Sequence, residues 1–387
     1  MKVAVVKERR AHERRVAATP DSVKRLAGMG LDTVVESGAG EAAAMTDAAF
    51  AAAGATIAAD AQTALSDADI VLKVARPLLG GKDGVDEVNF LKPGAVLVGL
   101  LQPLQHPAEI EAYARSGIAA FAMELLPRIT RAQAMDVLSS QANLAGYKAV
   151  LDAAGEFGRA FPMMMTAAGT IKAARVLVMG AGVAGLQAIA TARRLGAVVS
   201  ATDVRAAARE HVESLGATFI AVDVGAAPTE SAGGYAREMS EDYARRQRER
   251  ISEALRRTDI VICTALVPGR KAPVLLTEAM LAELMPGSVV VDLAVEAGGN
   301  VEGSRAGRTV TTPNGVKIVA HPNMPSRIAA DASQLYARNL ASFLTLIVKD
   351  GQLAIDPADE IIQATLLTRD GGIVNPALAA APAAANG

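Results

Sequence analysis

Between Val176 and Arg205 the chain reads VLVMGAGVAGLQAIATARRLGAVVSATDVR, and few arrangements accommodate that order of residues. A β-branched run stops at Gly180, Gly182 and Gly185 complete a GxGxxG spacing, and apolar residues then recur with helical period to Leu195. A second strand-like run begins at Ala197 and ends on Asp203. Strand, glycine turn, helix, strand and acid is the order of a dinucleotide-binding βαβ unit. Gly180 permits the tight turn, Gly182 lets the backbone approach a pyrophosphate with no Cβ between them, and Gly185 allows the helix to pack closely on the strand. The helix N-terminus presents N–H groups that have no intrahelical partner to the phosphates. Asp203, about eighteen residues past the last glycine, falls where a carboxylate accepts hydrogen bonds from the adenosine ribose. Its charge repels a 2′-phosphate, so NAD(H) is expected rather than NADP(H). Arg205, two residues on, stands ready to soften that repulsion. The same glycines would also suit an ordinary βαβ unit in which they serve only packing.

The rest of the chain supplies enough length for a second domain. With 387 residues, two α/β domains can each bury a core. Charged residues make up 21 % and the formal net charge is −2, which gives no electrostatic case for nucleic acid or an anionic membrane. The single cysteine, Cys263, lies in an apolar run that reads as a buried strand. No disulfide can form within the chain, and a cytosolic compartment fits. The most apolar stretches, Leu340 to Val348 and Ala95 to Leu101, fall well short of a membrane span. Met1-Lys-Val-Ala-Val-Val reads as a strand rather than a signal peptide. The expectation is a soluble cytoplasmic protein that meets a membrane only through a partner.

From Met1 to about Phe121 strand-like runs alternate with helical stretches beginning near Pro20, Thr46 and Pro107, which argues for a parallel sheet. This half has no GxGxxG after its first strand. Thr130 and Gln133 have the spacing of a capping box, so a long helix is expected from there to about Phe161. On its wheel Gln133, Asp136, Ser140, Asn143 and Tyr147 form a polar stripe with Ser139 at the margin, suited either to a cleft or to water. Further strands are expected near 173–179, 198–202, 218–222, 259–264 and 288–293, then a hairpin turning at Asn314-Gly315 and a helix from Pro325 to about Val348. The fold class is therefore α/β, with two Rossmann-like doubly wound parallel-sheet domains joined by long helices. Residues 1–130 with 328–375 make an outer domain, 131–327 the NAD(H)-binding domain, and 376–387 a low-complexity flexible tail. Adjacent glycines before Tyr235 suggest a hinged flap over 226–243, with a bare surface loop as the alternative.

Four stretches carry a resemblance. Arg128-Ile-Thr-Arg-Ala-Gln-Ala-Met-Asp136 through Tyr147, Met179-Gly-Ala-Gly-Val-Ala-Gly185 through Ala190, Ala232-Gly-Gly-Tyr-Ala236 and Val291-Asp-Leu-Ala-Val-Glu-Ala-Gly-Gly-Asn300 resemble the NAD(H)-binding component, domain I, of proton-translocating nicotinamide nucleotide transhydrogenase. The likeness covers nearly the whole chain. It implies a soluble portion of an alpha subunit that binds NAD(H), a partner component that binds NADP(H), a separate membrane-spanning component, and a homodimer peripheral to the inner membrane.

The resemblance also implies residue roles. Arg128, Asp136 and Ser139 orient the carboxamide end of the nicotinamide, with Ile129 and Thr130 beside them, and Gln133 lies near the ring and its ribose. Val183, Asp203, Val204, Arg205 and Leu266 enclose the adenosine and pyrophosphate with the three fingerprint glycines, and Gly234, Tyr235 and Gln247 belong to the flap. Direct hydride transfer between nicotinamides needs no metal, nucleophile or general base, because the cofactors carry the chemistry. A weaker likeness reaches alanine dehydrogenase, whose substrate-binding arginine and lysine match Arg15 and Lys73. Gln102 stands at that enzyme's catalytic histidine and Glu296 replaces an aspartate of its signature, and a glutamine amide does not cycle a proton at neutral pH. An alanine-dehydrogenase-like oxidoreductase and a binding-only NAD(H) sensor stay open as alternatives.

Overall fold

The computed structural model describes residues 1–80, 85–220, 249–267 and 269–379. They fall into two compact units, Met1–Gln141 with Ser326–Gly387, and Ala142–Pro325.

In the first unit, β-branched runs make a sheet of eight strands among the described residues. Across it the order is Gly372–Ile373, Leu366–Arg369, Ala119–Ala122, Val96–Leu100, Ile70–Ala75, Lys2–Val5, Asp32–Glu36 and Thr56–Ala58. The six N-terminal strands are parallel. Taken in chain order they run 3-2-1-4-5-6 across the sheet, the doubly wound arrangement. The C-terminal pair adds on antiparallel against Ala119–Ala122. Helix starts follow local chemistry: Thr19, Thr46 and Asp60 each accept a backbone N–H and cap Pro20–Ala27, Asp47–Ala52 and Ala61–Leu65. Helix Ala329–Ile347 covers one face of the sheet, where Phe343 meets Phe121 edge to face at 5.3 Å and Tyr336 donates to the Lys73 carbonyl at 2.9 Å.

In the second unit the order is Thr218–Phe219, Val198–Thr202, Arg175–Met179, Ile260–Cys263, Val289–Asp292, Lys317–Ala320 and Arg308–Thr311. All neighbours are parallel except the last hairpin, whose turn holds Gly315 at φ 82° as the Asn-Gly pair demands. The fingerprint strand Arg175–Met179 sits between Val198–Thr202 and Ile260–Cys263, at the point where the winding reverses. Open α/β sheets leave a crevice for ligands there, beyond the strand ends. Cys263 is fully buried, and burial, with Asp292 nearby, pushes its thiol well above the ordinary range. The native protein should therefore be inert to a chromogenic disulfide reagent at about pH 8 and release one equivalent only after denaturation. Prompt native reaction would show that this strand opens.

The structure changes two expectations. Thr130 does not cap a helix: Thr130–Met135 is a 3-10 turn with no side-chain cap, and the α-helix is Val137–Glu156. Asp136 takes the capping role, accepting the Ser139 amide at 2.9 Å and its hydroxyl at 2.5 Å. A carboxylate is the stronger acceptor for orphan amides and sits better with the positive end of the helix, so Asp136-x-x-Ser139 prevails over Thr130-x-x-Gln133. The helix also stops at Glu156 rather than Phe161, and an exposed hairpin, Met164–Thr166 with Gly169–Ile171, follows. The residues of the expected flap, 226–243, and residues 380–387 of the expected tail lie outside the described residues.

Candidate functional site

The turn after Arg175–Met179 is built by close approaches that only glycine tolerates. Gly180 has φ 102°, and a Cβ there would lie 2.6 Å from Thr264 Oγ1. A Cβ on Gly185 would lie 1.8 Å from the Gly180 carbonyl oxygen, so the helix Val183–Arg194 rests directly on the turn. Gly182 differs from both. A Cβ there meets nothing within 4 Å, so its glycine is not required by the chain's own packing. The helix that Gly182 opens has no side-chain cap, and Val183 at its start is 42 % exposed. Open backbone, uncapped N–H groups and an exposed apolar side chain at one turn suit a pyrophosphate with a flanking apolar group.

Asp203 ends the next strand and closes the same turn. It accepts the Ala181 amide at 2.7 Å and the Arg205 amide at 2.8 Å. The Arg205 guanidinium binds it twice more, both at 2.9 Å. Burial alone would raise this carboxyl, but the hydrogen bonds from Arg205 and the two amides outweigh burial and hold it below the ordinary carboxylate range. Asp203 is therefore an anion at neutral pH. Val204 lies between these partners, half-buried.

Sequence reading missed three residues that shape this site. Thr264 donates to the Gly180 carbonyl at 3.0 Å and ties the segment containing Leu266, 48 % exposed, to the glycine turn. Asn300, fully buried, holds the same segment by accepting the Ala265 amide at 3.1 Å and donating to its carbonyl at 2.9 Å. Asn300 is itself set by buried Asp292, which accepts its amide at 3.1 Å. This is the structural use of the Asp292 to Asn300 motif. The third is Gly146, whose Cβ would stand 2.0 Å from the Ala184 carbonyl oxygen, so Val137–Glu156 crosses the fingerprint helix backbone to backbone. A glycine inside a long helix is the available signal for such a crossing.

The first unit carries Arg128, Ile129, Thr130, Gln133, Asp136 and Ser139 on one short stretch. Arg128, Thr130 and Gln133 are exposed, Ile129 is partly buried, and Asp136 is held against Ser139 as described. Gln133 does not cap; its carbonyl accepts the Asp136 amide at 3.3 Å. The polar stripe is divided among partners, since Ser140 donates to Asn339 at 2.8 Å while Asn143 donates to Gln187 at 3.2 Å. Gly234, Tyr235 and Gln247 lie outside the described residues.

Arg15 and Lys73 are both buried and both engaged within their own unit. Glu13 grips the Arg15 guanidinium at 2.8 and 2.7 Å, and Gln141 accepts from it at 2.8 Å. Lys73 bonds both Glu87 oxygens at 3.0 Å and pairs with Glu8 at 3.2 Å. Internal carboxylates thus neutralise the two cations that a substrate carboxylate would need. Among the described residues no cluster of candidate metal ligands occurs, and no helix is long and apolar enough to cross a membrane.

Comparison with known proteins agrees with this geometry. The model of the alanine dehydrogenase/PNT N-terminal domain matches residues 4–145, and that of the C-terminal domain matches 149–376. The chain is 58 % identical over 381 residues to the first part of NAD(P) transhydrogenase subunit alpha from Rhodospirillum rubrum, covering 98 % of this chain and 99 % of that one. It is 46 % identical to the protein of the same name from Rickettsia prowazekii, covering 97 % and 96 %. The crystal structure of transhydrogenase from Sinorhizobium meliloti superposes with a TM-score of 0.87 at 51 % identity, covering 97 % of this chain and all of that one. The chain belongs to the alanine dehydrogenase/PNT family, and within it to the NAD(P) transhydrogenase alpha subunits.

Proposed function

We propose that the second unit binds NAD(H) on the Gly180–Gly185 turn and that the chain presents the reduced nicotinamide for direct hydride transfer to NADP⁺ held by a partner component. The observation that carries this reading is the open backbone at Gly182 beside an ionised Asp203, at the switch point of a doubly wound sheet. Gly180, Gly182, Val183 and Gly185 hold the pyrophosphate, and Asp203, Val204, Arg205 and Leu266 surround the adenosine. Arg128, Ile129, Thr130, Gln133, Asp136 and Ser139 receive the nicotinamide end. The hydrogen-bonded pair of Asp136 and Ser139 supports that assignment, because it fixes one side chain with the other and leaves little to reorganise when a carboxamide arrives. When bound, NADH supplies the hydride; the chain binds, orients and excludes water.

Proton translocation belongs to a separate membrane-spanning component, and this chain works as a cytoplasmic homodimer peripheral to the inner membrane. The internal neutralisation of Arg15 and Lys73, with Gln102 in place of a titrating group, weighs against the alanine-dehydrogenase alternative. Mixing the chain with a transhydrogenase NADP(H)-binding component, NADH and an NADP⁺ analogue should give hydride transfer, followed by absorbance. Arg128→Ala should slow that transfer about 10²-fold, the scale of a small misplacement of the reacting atoms, while NADH affinity changes much less. Oxidation of NADH by pyruvate and ammonia with this chain alone would favour the dehydrogenase instead. Binding without any transfer would leave a sensor.

A further inference from the structure

A carboxylate offers about four acceptor positions on its two oxygens. All four on Asp203 are taken from within the chain: two by the Ala181 and Arg205 amides, two by the Arg205 guanidinium. A ribose diol donates two hydrogen bonds and so needs two of those positions. The Ala181 amide cannot leave without unwinding the glycine turn, nor the Arg205 amide without opening the backbone turn that follows Asp203. The guanidinium can, because it rides on a flexible stem and is 22 % exposed, against 7 % for its partner carboxylate.

We propose that Arg205 is a specificity-determining residue: its guanidinium fills the ribose seat in the free protein, yields to the diol of an unphosphorylated adenosine, and remains beside the 2′ position. The proposal rests on the reading of the second unit as a nucleotide site. Breaking the pair opposes nucleotide binding, so NAD(H) binds more weakly than the bare turn allows. Once displaced, the same cation offsets the repulsion between Asp203 and a 2′-phosphate, so discrimination against NADP(H) is less than Asp203 alone would impose. The two effects act in opposite directions on the two nucleotides, which no purely structural role for Arg205 would do.

Titrating the full chain with NADH, 5′-ADP and 2′,5′-ADP, by nicotinamide fluorescence and calorimetry, tests this. Arg205→Ala should bind NADH and 5′-ADP about three- to fivefold more tightly, the worth of a partly exposed ion pair, and its preference for 5′-ADP over 2′,5′-ADP should widen about tenfold. Asp203→Asn, which frees the guanidinium, should narrow that preference by a similar factor. Melting curves for both variants establish that each is folded. An Arg205→Ala protein that is folded but binds NADH no more tightly than the parent overturns the proposal while leaving the nucleotide site intact. A parent protein that binds neither NADH nor 5′-ADP overturns both.

Discussion

Replacing Gly185 with alanine is expected to remove NADH binding and to destabilise the second unit, whereas Gly182→Ala should remove binding alone. A Cβ at 185 would stand 1.8 Å from the Gly180 oxygen and 2.8 Å from its carbonyl carbon, both backbone atoms that no rotamer change can move aside. The helix must lift from the strand, carrying its first-turn amides away from where a phosphate would sit. Overpacking of side chains costs about 1–3 kcal/mol, and a backbone clash belongs at or beyond the upper end of that range. At 182 the same methyl meets nothing, so melting should not change. If the pyrophosphate approaches there, affinity should still fall by about 10²-fold or more, since the methyl takes the space of the ligand. Thermal melting with fluorescence titration separates the cases. A Gly182→Ala protein with parental NADH affinity would mean that the nucleotide does not cross this turn.

Substituting Lys73 with methionine should cost the first unit about 3–5 kcal/mol at neutral pH, the penalty for leaving a buried charge without its partner. Lys73 is 2 % exposed and is the cation between Glu8 and Glu87, each equally buried. Burial pushes the Glu8 carboxyl up despite Lys73 pulling it down, and burial lowers Lys73 while the two carboxylates raise it further. For Glu8 the folded value lies above the unfolded one. Its contribution is therefore fully present below about pH 4.3, the unfolded value, and is lost as pH rises through the folded value. For Lys73 the raised value means that its contribution persists through neutral pH and is lost only on the alkaline side of its ordinary range. Without Lys73 only the Val74 amide is left to pull Glu8 down against burial, so the variant's deficit should shrink as pH falls toward the carboxylate range and widen toward pH 8. Melting at both ends checks this. A loss under about 1 kcal/mol, or one that is flat with pH, would mean that water or a rearranged neighbour replaces the lysine.

Much of the fold follows from local chemistry that sequence displays directly. Five of the six parallel strands of the first unit and the fingerprint strands of the second lie within a residue or two of their apolar runs, because a strand buried on both faces must be continuously apolar. Thr19, Thr46 and Pro107 mark helix starts for equally local reasons. The short strands Thr56–Ala58 and Leu366–Arg369 are not legible, since three or four residues carry too little pattern to stand apart from a loop. The start of Val137–Glu156 escapes sequence reading because two capping spacings overlap within ten residues, and spacing does not rank the acceptors.

For the candidate site, the residue types and their order by themselves determined a strand, a glycine turn, a helix and an acid, since each answers to its immediate neighbours. Tertiary structure alone decided which glycine serves the chain and which is left open. Gly180 and Gly185 face Thr264 and backbone atoms, whereas Gly182 faces none. It alone joined Asn300 and Thr264 to the turn, and it alone set Arg205 on Asp203. These contacts link segments up to 84 residues apart or depend on side-chain direction, and their energies depend on distance in space, which residue order does not encode.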